Sequence, residues 1–412
     1  MSLDEAMRND TREIARELTD LRHRLHQHPE IGLDLPITQQ TVLSAIDDLG
    51  LEVTLGKSVS SITAVLRGGR ADQRQGPVPA VLLRGDMDAL PLAEKTGLEY
   101  ASTVDGAMHA CGHDLHTAML VGAARVLAAH RESLAGDVVF MFQPGEEGWD
   151  GAGAMLKEGV LDAAGTRVKS AYGIHVMANE IKPGVFTTRP GTLMAASDGL
   201  FVTVRGAGGH GSAPHMAKDP VTAAVAMVSA LQTLVTRRFD VFDPVVITVG
   251  QFHAGTRRNI IPDDAMFEAT VRSFSPRAQE RLMEETVRLC QSIAAAHGLE
   301  VDVRYEAEYP MTVNNAEHAA FVDTVAADVF GAERSEPLAF PVTGAEDFSR
   351  VLAEVPGCYT FLGAGPADGY ETAPDNHSPL ATFADSVMPD GALLHAQLAV
   401  RALNRDSAAM AA

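Results

Sequence analysis

The sequence predicts an α/β fold in two parts: a domain with a central mixed sheet flanked by helices, and a smaller ferredoxin-like α+β domain inserted into it. Three observations carry this. Short continuous apolar runs at 78–83, 137–142 and 168–174 have the pattern of strands buried on both faces, and each leads into polar residues. The stretch 114–130 has helical spacing, so strands alternate with helices, and open sheets of that kind place ligands beyond their strand ends. From Asp198 the order becomes strand, helix, strand, strand, helix, strand, the ferredoxin-like pattern.

In chain order, apolar residues at helical spacing predict a helix over 4–25, ended by Leu25-His26-Gln27-His28-Pro29, where proline discourages continuation. A second helix is expected over 36–49, stopped by Gly50, followed by strands at 52–54 and 62–66. The Gly/Arg/Gln-rich stretch 68–76 reads as an exposed loop. The inserted domain comprises strands at 198–205, 244–252, 265–274 and 299–305 with helices at 220–236 and 276–296. From Tyr309 the chain returns to glycine-punctuated elements. The expected division is therefore 1–193 and 309–412 for the first domain and 194–308 for the inserted one.

At 412 residues the chain exceeds the usual size of one core, and 46% hydrophobic with 21% charged residues is the balance of a packed globular protein. The formal charge of −21 would repel phosphate backbones and anionic lipid, so neither nucleic acid nor membrane is an expected partner. Three cysteines, Cys111, Cys290 and Cys358, do not make a disulfide framework. With a polar, acidic N-terminus showing no apolar signal stretch, they point to a reducing, cytoplasmic setting.

Met108-His109-Ala110-Cys111-Gly112-His113-Asp114-Leu115-His116 packs a thiol, three imidazoles and a carboxylate into nine residues. A thiolate and an imidazole two residues apart can grip borderline-soft divalent ions. Glu146 and Glu147 in Gln143-Pro144-Gly145-Glu146-Glu147, His175 after an apolar run, and His377 in Asn376-His377-Ser378-Pro379 supply further donors. Together they offer one Cys, three His and one Glu, enough for two divalent ions. The adjacent glutamates diverge on a helix, which suggests that one binds metal while the other moves a proton. Asp86 and Asp88 read either as a plain strand-end turn or as carboxylates that orient an imidazole. Asp114 reads as a helix N-cap or as part of the same supporting set. In the inserted domain, His210 sits on the glycine-rich loop 206–215, which lacks the ending of a phosphate loop. Its imidazole could steady an oxyanion, and Asn259 and Arg272 could hydrogen-bond the substrate, including a carboxylate that an Arg fork matches; a solvent loop and surface polar residues are the plainer alternatives.

These motifs, with Arg84-Gly85-Asp86-Met87-Asp88-Ala89-Leu90-Pro91, Asn259-Ile260-Ile261-Pro262 and Gly344-Ala345-Glu346-Asp347-Phe348, resemble in order the M20 metallopeptidase family, specifically its amidohydrolase branch. Cysteine in the 108–116 segment, where other relatives carry aspartate, marks that branch. The resemblance implies a di-metal catalytic domain holding Mn, Zn, Co or Ni. Cys111, His113, Glu147, His175 and His377 are the implied ligands, and Glu146 the general base and acid. Asp88 and His210 are expected to assist catalysis. The resemblance further implies that the inserted domain acts as a lid and forms a homodimer, so that His210 could complete a partner's site. The expected reaction is hydrolysis of N-acyl or N-aroyl amino acids of the hippurate type. The alternatives are a dipeptidase or carboxypeptidase of the same family and a non-catalytic binder of the same fold.

Overall fold

The computed structural model describes residues 2–70 and 78–411, with side chains through 406, so most of the loop expected over 68–76 lies outside the described residues. Two compact units emerge. The first comprises Met1–Leu193, Val313–Phe340 and Asp347–Ala412; the second comprises Met194–Thr312 and Pro341–Glu346.

The first unit is built on an eight-stranded mixed sheet in the order Glu52–Leu55, Ile62–Leu66, Asp137–Gln143, Ala80–Asp86, Ser170–Met177, Gly357–Gly363, Phe186–Thr188, Ser335–Pro337. Its four central strands, 137–143, 80–86, 170–177 and 357–363, run parallel. Three of them, 80–86, 137–143 and 357–363, are buried along their whole length, as expected where helices cover both faces of a sheet. His113–Ala129 follows the 80–86 strand and is almost wholly buried, packing against the C-terminal helix Met388–Ala411. Strand order reverses around 80–86, whose two neighbours come from later in the chain on opposite sides. Such a switch point opens a crevice at the carboxyl ends of the strands.

The single helix expected over 4–25 is two helices, Leu3–Glu13 and Ala15–Gln27, broken at Ile14. The break lets the first half pack on Met388–Ala411 while the second packs on His113–Ala129, burying Met7 in one and Leu18, Leu21 and Leu25 in the other.

Arg22, on the second of these helices, is fully buried. Its Nε donates to Asp114 Oδ2 at 2.9 Å, and His26 Nδ1 meets the same oxygen at 2.9 Å. Asp114 is therefore not the helix cap; that position belongs to Gly112, and no side chain caps the helix. Removing the guanidinium leaves the buried carboxylate with only His26 of these two partners. Arg22→Ala is expected to cost about 3–5 kcal/mol of folding stability, measured by denaturant unfolding of the metal-free chain.

The second unit is an antiparallel four-stranded sheet in the order Val245–Ala254, Asp264–Ser273, Ala196–Arg205, Glu300–Tyr309. Helices Pro220–Arg238 and Pro276–Ala296 pack on it through a core that includes Leu200, Val202, Phe267, Met227 and Leu282. Each helix starts on a side-chain cap, Asp219 or Ser275, with proline in its first turn.

Candidate metal centre

Five donors gather beyond the carboxyl ends of the four parallel strands of the first unit. Cys111 and His113 follow 80–86, Glu147 follows 137–143, His175 lies near the end of 170–177, and His377 comes after 357–363. Parallel strands thus bring together residues up to 266 positions apart.

Gly112 makes the first turn possible. It takes φ +84°, and a Cβ there would lie 2.3 Å from Val176 Cγ2. His113 then opens the helix with its ring buried beside the sulfur. Cys111 Sγ lies 3.4 Å from His175 Nε2 and 3.3 Å from His377 Nε2. His377 Nε2 is 3.1 Å from Glu147 Oε1. The donor atoms of Cys111, His113 and His175 all lie within 4.8 Å of one another, and so do those of Cys111, Glu147 and His377. The sulfur belongs to both triads. The first triad is the more buried, whereas the His377 side chain is 53% exposed.

Glu146 and Glu147 occupy a turn between strand and helix, correcting the helical placement expected for them. Asp88 holds that turn: its two carboxylate oxygens accept from Glu146 N at 2.9 Å and Glu147 N at 3.1 Å. The same carboxylate lies 3.5 Å from His113 Nδ1, so Asp88 sits behind the donors. Asp86 takes the supporting position beside it. Val176 N donates to His116 Nε2 at 2.8 Å, which puts the ring proton on Nδ1, and that proton is donated to Asp86 Oδ1 at 2.6 Å. His175 Nδ1 meets Val176 O at 2.8 Å; donation to this carbonyl leaves the Nε2 lone pair facing the sulfur.

The electrostatics suit cations. Burial alone would depress the His113 imidazole, but Asp86, Asp88 and Cys111 raise it well above its ordinary value. Hydrogen bonds to Cys111 and Glu147 lift His377 to about 10. Burial pushes His175 well below its usual value, with His116 adding to the effect. Neither ring nitrogen of the buried His113 makes a hydrogen bond. A thiol, carboxylates and an imidazole that closes no hydrogen bond match the ligand chemistry of borderline divalent ions, whose binding displaces such protons. The donor set fits two of them.

Nothing in its sequence neighbours marks Asn376, yet its amide joins the His377 segment to the ends of two other elements. The expected second-unit residues are also placed. His210 pairs in register with Ile260, next to Asn259, whose carbonyl accepts from Gly211 N at 2.9 Å. His210 Nδ1 accepts from Ser212 Oγ at 2.8 Å. Arg272, elsewhere on the same unit, donates to Ser197 Oγ at 2.9 Å and to Thr270 Oγ1 at 2.6 Å.

Fold and donor set together define a class, that of α/β proteins with a candidate site for two divalent ions; its family makes it a hydrolytic enzyme. The chain belongs, more narrowly, to peptidase family M20/M25/M40, which it matches over residues 82–401. It is 37% identical over 409 residues to thermostable carboxypeptidase 1 of Saccharolobus solfataricus, covering 98% of this chain and 100% of that one. It is 35% identical over 390 residues to hippurate hydrolase of Campylobacter jejuni, covering 94% and 97%. A solved dinuclear metal-binding peptidase of the M20 family from Bacillus subtilis superposes with a TM-score of 0.79 at 29% identity, covering 95% and 99%. Among the described residues no helix is long and apolar enough to cross a membrane.

Proposed function

We propose that the protein hydrolyses the amide bond of N-acyl or N-aroyl amino acids, releasing a carboxylic acid and an amino acid, with two divalent ions held by the two triads. The observation that most supports this is the Cys111 sulfur common to both donor sets, with Glu146 buried beside them. Such an ion pair, when bound, polarises the amide carbonyl and makes water nucleophilic at neutral pH.

The chain's own residues do the rest. Glu146, held by Asp88 through its backbone, takes a proton from the attacking water and delivers it to the departing nitrogen. Cys111, His113 and His175 would hold one ion, and Cys111, Glu147 and His377 the other. His210 and Asn259 are assigned to the developing oxyanion and the substrate, and Arg272 to the substrate carboxylate. We further assign the protein to the cytoplasm, consistent with its three free cysteines, and to a homodimer through the second unit.

Carboxypeptidase is the second reading, favoured by the 37% identity to an enzyme of that name. Hippurate, N-acetyl amino acids, dipeptides and blocked carboxypeptidase substrates, assayed side by side after reconstitution with Mn, Zn, Co or Ni, separate the two. The proposal expects N-acyl amino acids to lead by at least about tenfold in kcat/KM, about 1.4 kcal/mol in the barrier. Blocked peptides in the lead would replace it with the carboxypeptidase reading.

A further inference from the structure

The segment bearing His377 is held in an unusual way. His377 has φ +68°, in the left-handed region that few residues other than glycine enter, histidine being one of the more frequent among them. On one side its backbone N donates to Ala110 O at 2.9 Å. On the other, Asn376 uses both ends of its amide. Its Oδ1 accepts from Ala178 N at 2.8 Å, while its Nδ2 donates to Val176 O at 3.1 Å and Cys111 O at 3.3 Å. The same Nδ2 lies 3.8 Å from Cys111 Sγ. Its partners fix the amide's orientation, because one is an N–H and two are carbonyls.

One side chain thus ties together three chain segments that carry donors: the end of the strand bearing His175, the Cys111 turn and the His377 loop. It also points an N–H at the sulfur common to both triads. We propose that Asn376 is a positioning residue of the metal centre, setting the angle at which His377 meets the Cys111 sulfur and tempering that sulfur's charge by hydrogen bonding. This rests on the metal centre proposed above. Residues behind the ligands characteristically orient them and tune their basicity. Asn376 differs from Asp86 and Asp88 in reaching the sulfur itself, the donor common to the two triads.

The charge logic selects the test. Asn376→Asp keeps the shape and the acceptor for Ala178 N, but it turns a carboxylate oxygen toward two carbonyls and a thiolate. Asn376→Ala removes both ends. Cobalt(II) is the probe, titrated into the metal-free chain against a competing chelator while the thiolate-to-cobalt charge-transfer band is recorded. The wild type is expected to take up two ions. In N376D, uptake at the Cys111, Glu147 and His377 position is expected to weaken by about 10–100-fold, the range for changes behind metal ligands. The charge-transfer band should shift, and the stability that the metal-free chain loses, because the carboxylate faces two carbonyls, should be smaller than the metal-binding free energy that is lost. N376A should weaken the same position with a smaller shift of the band; should N376A fail to fold, N376D alone carries the test.

Two tightly bound cobalt ions with an unshifted band in N376D would overturn the assignment. So would an affinity loss matched by equal destabilisation of the metal-free chain, which would make Asn376 a folding residue only. A wild type that binds no cobalt would instead overturn the metal centre, and this assignment with it.

Discussion

Glu146→Gln is expected to lower kcat by about 10²–10⁴-fold while leaving metal content and KM near wild type, because general acid–base groups typically contribute that much. The argument is geometric. Glu146 is buried, and Asp88 fixes its backbone in a turn where the next residue, Glu147, points to the triad with Cys111 and His377. Glutamine preserves size and the Asp88 contact but cannot accept a proton. Steady-state kinetics with metal analysis on the same preparation checks both halves. A variant that turns over at wild-type rate would remove Glu146 from proton transfer; one that loses metal would make it a ligand.

Cys111→Ala is expected to have an effect as large for a different reason. Its sulfur lies 3.4 Å from His175 Nε2 and 3.3 Å from His377 Nε2, so one truncation takes a donor from both triads. Each is left with two protein ligands where three stood. Metal affinity at both positions should fall by more than the roughly 10–100-fold typical of changes behind the ligands, and activity with it. Cys111→Asp restores a bridging anion with two oxygens, so it should regain part of the metal uptake that alanine loses. Elemental analysis after dialysis separates these cases. A Cys111→Ala chain that keeps two ions would show that the sulfur is not shared.

Much of this was legible in the sequence because buried parallel strands are continuous apolar runs and their ends carry the chemistry. The runs before Asp86, Glu146 and His175 could be read that way, and so could the ferredoxin-like order of the second unit. The strand Gly357–Gly363 was harder. Its seven residues are buried throughout, but glycine at both ends and two aromatics inside resemble a loop until it is seen paired with 170–177. The helix break at Ile14 left no local signal, because it is set by which neighbour each half packs against.

At the site, residue types and spacing revealed the donors but not their grouping. That Cys111 belongs to two triads is a fact of three dimensions, since Glu147 and His377 are distant in the chain. Asp88 reads in the sequence as a strand-end turn residue or a carboxylate that orients an imidazole, and its oxygens meet both the backbone of the glutamate turn and, at 3.5 Å, His113 Nδ1. Asparagine in a loop before histidine is ordinary, and only its partners distinguish Asn376. The pairing of Arg22 with Asp114 spans 92 positions and gave no pattern to read.

The most direct test of the central claim is anomalous diffraction from crystals of the cobalt- or zinc-loaded protein, collected at the metal edge. Two peaks are expected, one bonded to Cys111, His113 and His175 and the other to Cys111, Glu147 and His377, each about 2.3 Å from the same sulfur for zinc. A single peak, or two that do not share Cys111, would contradict it.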